Sequence, residues 1–191
     1  MKPPSSKRQF DIAASCFLLL LSAIPMAIIA VLVRVTSKGP ALHWSNRIGS
    51  ENVIFKMPKF RTMVCGTPPV ATHLLTRPER YVTPLGRFLR RLSLDELPQL
   101  FSVVMGQMSI VGPRPALFNQ HDLIDLRTRK GIHDLLPGIT GWAQVNGRDD
   151  LPIPVKVAYE EQYLRGRSFR WDLRILAMTV AQVFQGRGVS H

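Results

Sequence analysis

Hydrophobic positions in this chain open with one unbroken block. From Ile12 to Val33, 22 residues carry no charge. That satisfies the ~20 residues a membrane helix requires and exceeds the roughly 7–15 of a signal-peptide core. Lys2, Lys7 and Arg8 precede the block, and Arg34, Lys38 and Arg47 follow it. Cations on both sides do not orient a crossing. Pro25, near the middle, removes a backbone hydrogen bond and predicts a kink, with Ser22 placed to satisfy a freed carbonyl within one turn. The pattern predicts a helix that enters the membrane, bends and returns to the same face, with a straight span as the competing reading.

Beyond Lys38-Gly39-Pro40 the pattern shortens. His43–Gly49 and Val53–Met57 predict a hairpin turning through Gly49–Asn52, and Lys59 and Arg61 share one face if the chain stays extended. His43 reads as a surface residue. Prolines and threonines between Cys65 and Pro84 predict a loop. Leu85–Leu92 reads as a helix whose arginines suit either phosphate or a lipid surface. Leu97–Met105 reads as a buried helix, and the mixed charges from Asn119 to Asp134 as an exposed one. Pro137–Trp142 predicts a turn-rich loop where glycine allows close approach to a ligand; Trp142 suits either stacking on a base or the core. Asp149-Asp150, followed by Pro152 and Pro154, predicts an exposed turn. A helix is expected from Tyr159 to Gly166. A second runs from Trp171 to Phe184, with Leu173, Leu176, Ala177, Val180 and Phe184 at helical spacing. That helix suits the membrane interface or an ordinary core position.

Charge narrows the partners. A net charge of +12 and an isoelectric point near 10.7 imply an acidic partner: nucleic acid, anionic lipid or a phosphorylated substrate. Two cysteines, Cys16 and Cys65, make neither a disulfide framework nor a C-x-x-C metal pattern. Helix-turn-helix, zinc-finger and RNP signatures are missing, which argues against nucleic acid. A non-catalytic anchor on anionic lipid fits the apolar block plus charge, but leaves the next feature without a purpose.

Between Glu79 and Asp122 the only acids are Asp95 and Glu96, in an interval that also holds Arg80, Arg87, Arg90, Arg91 and Arg114. Such a basic field predicts a lowered carboxylate pKa and an ionised pair able to bind metal or attack an electrophile. Ser93 and Glu96 fit a capping box, placing Asp95 in a first helical turn unless the helix starts nearer Leu97. Downstream, Gly112-Pro113-Arg114-Pro115 fixes the backbone on both sides of one arginine. Arg148 is a further candidate for a diphosphate contact.

Arg91-x-Ser93-x-Asp95-Glu96-x-Pro98-Gln99 and Met108-Ser109-x-Val111-Gly112-Pro113-Arg114-Pro115 resemble the bacterial sugar transferases, small monotopic phosphoglycosyl transferases acting on polyprenyl phosphate. Lys7-Arg8-x-x-Asp11, Lys59-Phe60-Arg61-Thr62-Met63 and Pro137–Arg148 match in the same order. The resemblance implies an α+β, mainly helical fold. A re-entrant membrane helix (1–38) precedes a small cytoplasmic α/β catalytic domain (39–191) with interfacial amphipathic helices. Family members often carry serine just before the helix-breaking proline, where this chain has Ile24. The resemblance also implies Asp95 as nucleophile on a UDP-sugar and Glu96 as a Mg²⁺ ligand. Phosphate would meet Lys59, Arg61, Arg91, Arg114 and Arg148, and Pro113, Pro115 and Gln144 would belong to a nucleotide loop. The expected partners are a UDP-sugar, polyprenyl phosphate and the membrane, with no nucleic acid, and the expected location is the cytoplasmic face of the bacterial inner membrane. The sequence leaves homo-oligomerisation open.

Overall fold

A computed structural model describes residues 5–68, 77–147 and 151–185. It is mostly helical, with two small sheets. The apolar block becomes α1 (Ser5–Thr36), continuous through Pro25. Ser22 Oγ donates to the Leu18 carbonyl at 2.6 Å, one turn short of the Leu21 carbonyl that Pro25 leaves unpaired. Along this helix, Asp11, Ser15, Ile29 and Val33 are buried while Leu20, Ile24 and Val35 are exposed. One stripe therefore faces protein, and the rest of the helix is left bare.

The expected hairpin forms from β1 (Leu42–Ile48) and β2 (Ile54–Phe60), antiparallel, with Trp44 opposite Pro58 and His43 opposite Lys59. Next come α2 (Pro84–Arg91), capped by the Thr83 hydroxyl, and α3 (Gln99–Val104). Strand β3 (Ser109–Val111) pairs in parallel with β4 (Gly138–Thr140). The segment read as a ligand-approaching loop is thus a strand followed by the short helix α5 (Trp142–Val145). Its glycines serve the backbone: a Cβ on Gly138 would lie 2.1 Å from the Gly112 nitrogen, so the two strands meet only without side chains there. Between them, α4 (His121–Arg129) is not simply exposed, because Leu123 and Arg127 are buried. Helix α6 (Ile153–Gly166) starts six residues before the expected Tyr159, with Pro154 in its first turn, where the missing N–H costs nothing. Helix α7 (Phe169–Gln185) buries Asp172 and Ile175 and leaves Leu173 and Val180 exposed. Of its evenly spaced apolar positions, Leu173 and Val180 therefore point outward, while Leu176 packs on the core.

Phe55, Met57, Val103, Met108, Ile110, Tyr163 and Ile175 form the main core. Both ends of α1 are tied to it by polar contacts. At the start, Lys7 Nζ donates to Asp172 Oδ2 at 2.8 Å, Ser109 Oγ to Asp11 Oδ2 at 2.7 Å, and Tyr163 OH to Asp172 Oδ1 at 2.6 Å. Burial, then Asp172 beside it, holds the Tyr163 phenol well above its usual pKa. Arg8 donates to the Val103 and Val104 carbonyls at the end of α3. At the far end, Ile29 and Val33 pack on Phe60 and Leu89. There the Arg61 guanidinium binds the carbonyls of Ser37 (2.9 Å), Val33 (3.3 Å) and Lys38, and the Ser37 hydroxyl. A cation at a helix C-terminus satisfies orphan carbonyls and complements the dipole.

Arg61→Ala is expected to cost about 1.5–3 kcal/mol, because charged hydrogen bonds to buried and partly buried carbonyls are lost. The thermal midpoint of the full chain in detergent should fall by roughly 5–10 °C. An unchanged midpoint with weakened nucleotide binding would instead return Arg61 to the substrate site.

Candidate active site

Three segments converge on Asp95. It lies in a 3₁₀ turn, Leu94–Glu96, reached through Ser93, whose φ of 56° is left-handed. The expected capping box does not form: Ser93 makes no side-chain cap. Instead the backbone closes the turn, with Ser93 N donating to the Arg90 carbonyl and Glu96 N to that of Ser93. A left-handed residue reverses the chain sharply, turning Asp95 back under α2. The helix that follows starts only at Gln99, with Pro98 as its cap.

Asp95 is 6 % exposed. Its carboxyl is not lowered, as the basic field predicted, but raised to about 6; burial is the largest cause, then Glu96, opposed by Lys59, Arg90 and Arg114. Desolvation wins because it penalises the charge directly, while the cations are partly screened. Lys59, from β2, is pushed down to about 8, first by burial and then by Arg47, against Asp95 and Glu96. Burial also lowers Arg90. His43, across the hairpin from Lys59, is lowered by burial and by Lys59.

Arg90 was not among the expected residues. Its Nε donates to Thr62 Oγ1 at 2.9 Å, and Asp95 is the largest influence that raises its pKa. Helix geometry explains the choice: Gly86 and Leu89 are the buried positions of α2, and Arg90 follows Gly86 by four residues, on the same face. Arg91 lies about 100° further round and is exposed with Arg87, Phe88 and Leu92. That spacing was the signal available in the sequence.

Arg114 completes the group, its Nη2 donating to Glu96 Oε1 at 3.1 Å. Its loop is held at four successive carbonyls: Pro113 by Gly138 N (2.8 Å), Arg114 by Arg127 Nη2 (3.0 Å), Pro115 by Arg47 Nη1 (3.0 Å) and Ala116 by Ile48 N (3.0 Å). Arg127 is in turn paired with Glu160, Nε to Oε2 at 2.8 Å. Pro113 and Pro115 are buried, stiffening the loop from within.

Lys59, Arg90, Asp95, Glu96 and Arg114 therefore stand together. Arg61 and Arg91 do not join them: the first clasps α1 and the second faces solvent. Gln144 donates Nε2 to the Ile139 carbonyl at 2.9 Å. Arg148 and Asp149-Asp150 lie outside the described residues. Trp142 takes the core reading, edge-on to Trp171 (5.4 Å) and Tyr159 (6.4 Å). Among the described residues no three His, Cys, Asp or Glu cluster. Two adjacent carboxylates still suit Mg²⁺, which takes one or two carboxylates and completes its shell with water and substrate phosphate.

The chain is 38% identical over 187 residues to the uncharacterized sugar transferase EpsL of Bacillus subtilis (strain 168), covering 97% of this chain and 90% of that one. It is 38% identical to the UDP-glucose:undecaprenyl-phosphate glucose-1-phosphate transferase of Klebsiella pneumoniae, over 93% of this chain but 40% of the relative. It is 33% identical to the UDP-N-acetylgalactosamine-undecaprenyl-phosphate N-acetylgalactosaminephosphotransferase of Aeromonas hydrophila, over 95% of this chain and 44% of the relative. The chain thus spans less than half the length of these last two proteins. The family described as bacterial sugar transferase matches residues 3–186, and the chain belongs to that family.

Proposed function

We propose that this protein transfers a sugar-1-phosphate from a UDP-sugar to polyprenyl phosphate, giving polyprenyl diphosphate sugar and UMP. The observation that carries the reading is Asp95, a buried carboxylate poised near neutrality and surrounded by Lys59, Arg90 and Arg114. An Asp95 oxygen attacks the phosphorus that bears the sugar, the bond to the bridging diphosphate oxygen breaks, and UMP departs. A phosphate oxygen of the lipid then attacks the same phosphorus, releasing the Asp95 carboxylate. Partial desolvation makes Asp95 a better nucleophile than an exposed carboxylate, and the three cations stabilise the charge that gathers on the phosphoryl oxygens. Glu96, with Asp95, would hold Mg²⁺, which when bound neutralises diphosphate charge. Relatives named for glucose and for N-acetylgalactosamine support the UDP-sugar class rather than one sugar.

We place the active site at the cytoplasmic face of the bacterial inner membrane, on a domain spanning 39–191 behind a re-entrant segment spanning 1–38. Only 11 % of the most apolar stretch of α1 is buried, and so large a bare apolar surface needs lipid. Yet both ends of α1 bind one domain. Arg8, before Pro25, binds Val103 and Val104, while Ile29 and Val33, after it, pack on Phe60 and Leu89 of the same domain. Docking on both sides of the proline favours a bend at Pro25 and same-side ends. The outward apolar positions of α7 beside Phe10, which meets Phe169 at 5.2 Å, extend the same surface.

The reaction is tested by intact mass after exposure to a UDP-sugar without lipid. The wild type should release UMP and gain a phosphosugar on Asp95, and Asp95→Asn should lose turnover by on the order of 10³-fold or more. An adduct on another residue, or UMP release that strictly needs lipid, would overturn the assignment. Arg90→Ala should lower kcat by about 10²–10³-fold, as expected when a donor to developing charge is removed. Arg91→Ala should keep most of its activity; the reverse ranking would mean that the helix face has been misassigned.

The pH profile has a worked-out sign. Asp95 attacks as the carboxylate, present above its pKa of about 6, and Lys59 binds phosphate as the ammonium, present below about 8. Plotted against pH, kcat/KM should therefore rise through the first value and fall through the second. Lys59→Met should remove the alkaline limb and move the acid limb upward, since Lys59 is the strongest of the three cations that lower Asp95. An alkaline limb retained in the variant, with its acid limb unmoved, would separate Lys59 from the site.

A further inference from the structure

We propose that the apolar groove between α1, the β1–β2 hairpin and α3 seats the isoprenoid chain of the acceptor, placing its phosphate at Asp95. This rests on the reaction proposed above and adds where the lipid is read. The groove encloses about 280 Å³ between Met26 and Ala27 of α1, Trp44 and Pro58 of the hairpin, and Pro98 and Phe101 of α3, and no polar side chain lines it. An apolar cavity of ~150 Å³ already accepts benzene, so this volume fits on the order of two five-carbon isoprene units.

Its position argues for the occupant. Pro58 immediately precedes Lys59, and Pro98 follows Asp95 by three residues. The two segments that wall the groove therefore also carry the cation and the nucleophile. On the opposite side the wall is α1, whose neighbouring residues Ile24 and Ile28 are exposed, so the groove is continuous with the surface proposed to meet lipid. A ligand that fills it and reaches the active site must be an apolar chain arriving from the membrane and ending in an anion. Trp44, Phe101 and Met105 on the rim are about half exposed or more, leaving large apolar side chains unpartnered where a branched chain would pass. Methionines at the groove suit an irregular chain, because their unbranched side chains adapt to its shape.

The test uses the full chain in lipid nanodiscs with a diazirine-bearing farnesyl phosphate, mapped by mass spectrometry. Labelling is expected at groove residues, suppressed by unlabelled farnesyl phosphate and not by phosphatidylglycerol. Ala27→Trp, which fills the groove from an exposed position, should raise the KM for the lipid acceptor about tenfold and move the KM for the UDP-sugar far less. Met105→Trp, from the opposite wall, should give the same split. Label confined to the outward face of α1, equal competition by phosphatidylglycerol, or unchanged acceptor KM in both variants would overturn the proposal. Failure of the reaction itself would show separately, as no adduct from UDP-sugar in the wild type, while the labelling still decides the groove.

Discussion

A carboxylate can be buried only where donors and cations share its charge, and that constraint shapes the region around Asp95. Lys59 comes from a strand, Arg90 from a helix and Arg114 from a loop. Each has to be held by contacts of its own before it can face the carboxyl. Thr62 steadies Arg90. Four bound carbonyls steady the loop of Arg114. Arg127 and Arg47 thus act at one remove, each giving a guanidinium donor to the backbone of that loop. The surplus of positive charge in this chain is therefore partly structural.

The same division of labour governs α1. Its surface is largely bare and apolar, but its ends are fixed by polar groups: Lys7, Arg8 and Asp11 at one, the Arg61 clasp at the other. Apolar burial alone would not set the orientation of a uniformly apolar helix, since any face would serve. Directional bonds choose the face. Orientation then brings Met26 and Ala27 over α3, which is what creates the groove beside the candidate active site. Membrane attachment and substrate access would follow from one docking event.

Much of this was legible in the chain. The uncharged block, the hairpin about Gly49–Asn52, α2 and α3 follow from periodicity and turn chemistry, because those elements are short-range. The isolation of Asp95-Glu96 among arginines, and the stiff Gly-Pro-Arg-Pro loop, marked the site by composition and spacing. Helix starts were less legible: Pro152 and Pro154 read as a turn because proline at a first helical position looks the same in sequence as proline in a loop.

Tertiary structure decided what each charge does. Lys59 and Arg61 look equivalent two residues apart, yet one faces Asp95 and the other binds carbonyls at the end of α1, because β2 stops at Phe60. Arg90 and Arg91 are adjacent, and only the helix face separates them. The pKa of Asp95 reversed its expected direction, since burial depends on how α2, β2 and the 3₁₀ turn pack and not on which residues are near in sequence. The sequence by itself determined that a helix would be apolar, that a carboxylate pair would stand among cations, and that one loop would be rigid. Which cations met the carboxylate was left to long-range packing, because local spacing constrains direction only within an element, and these partners come from three.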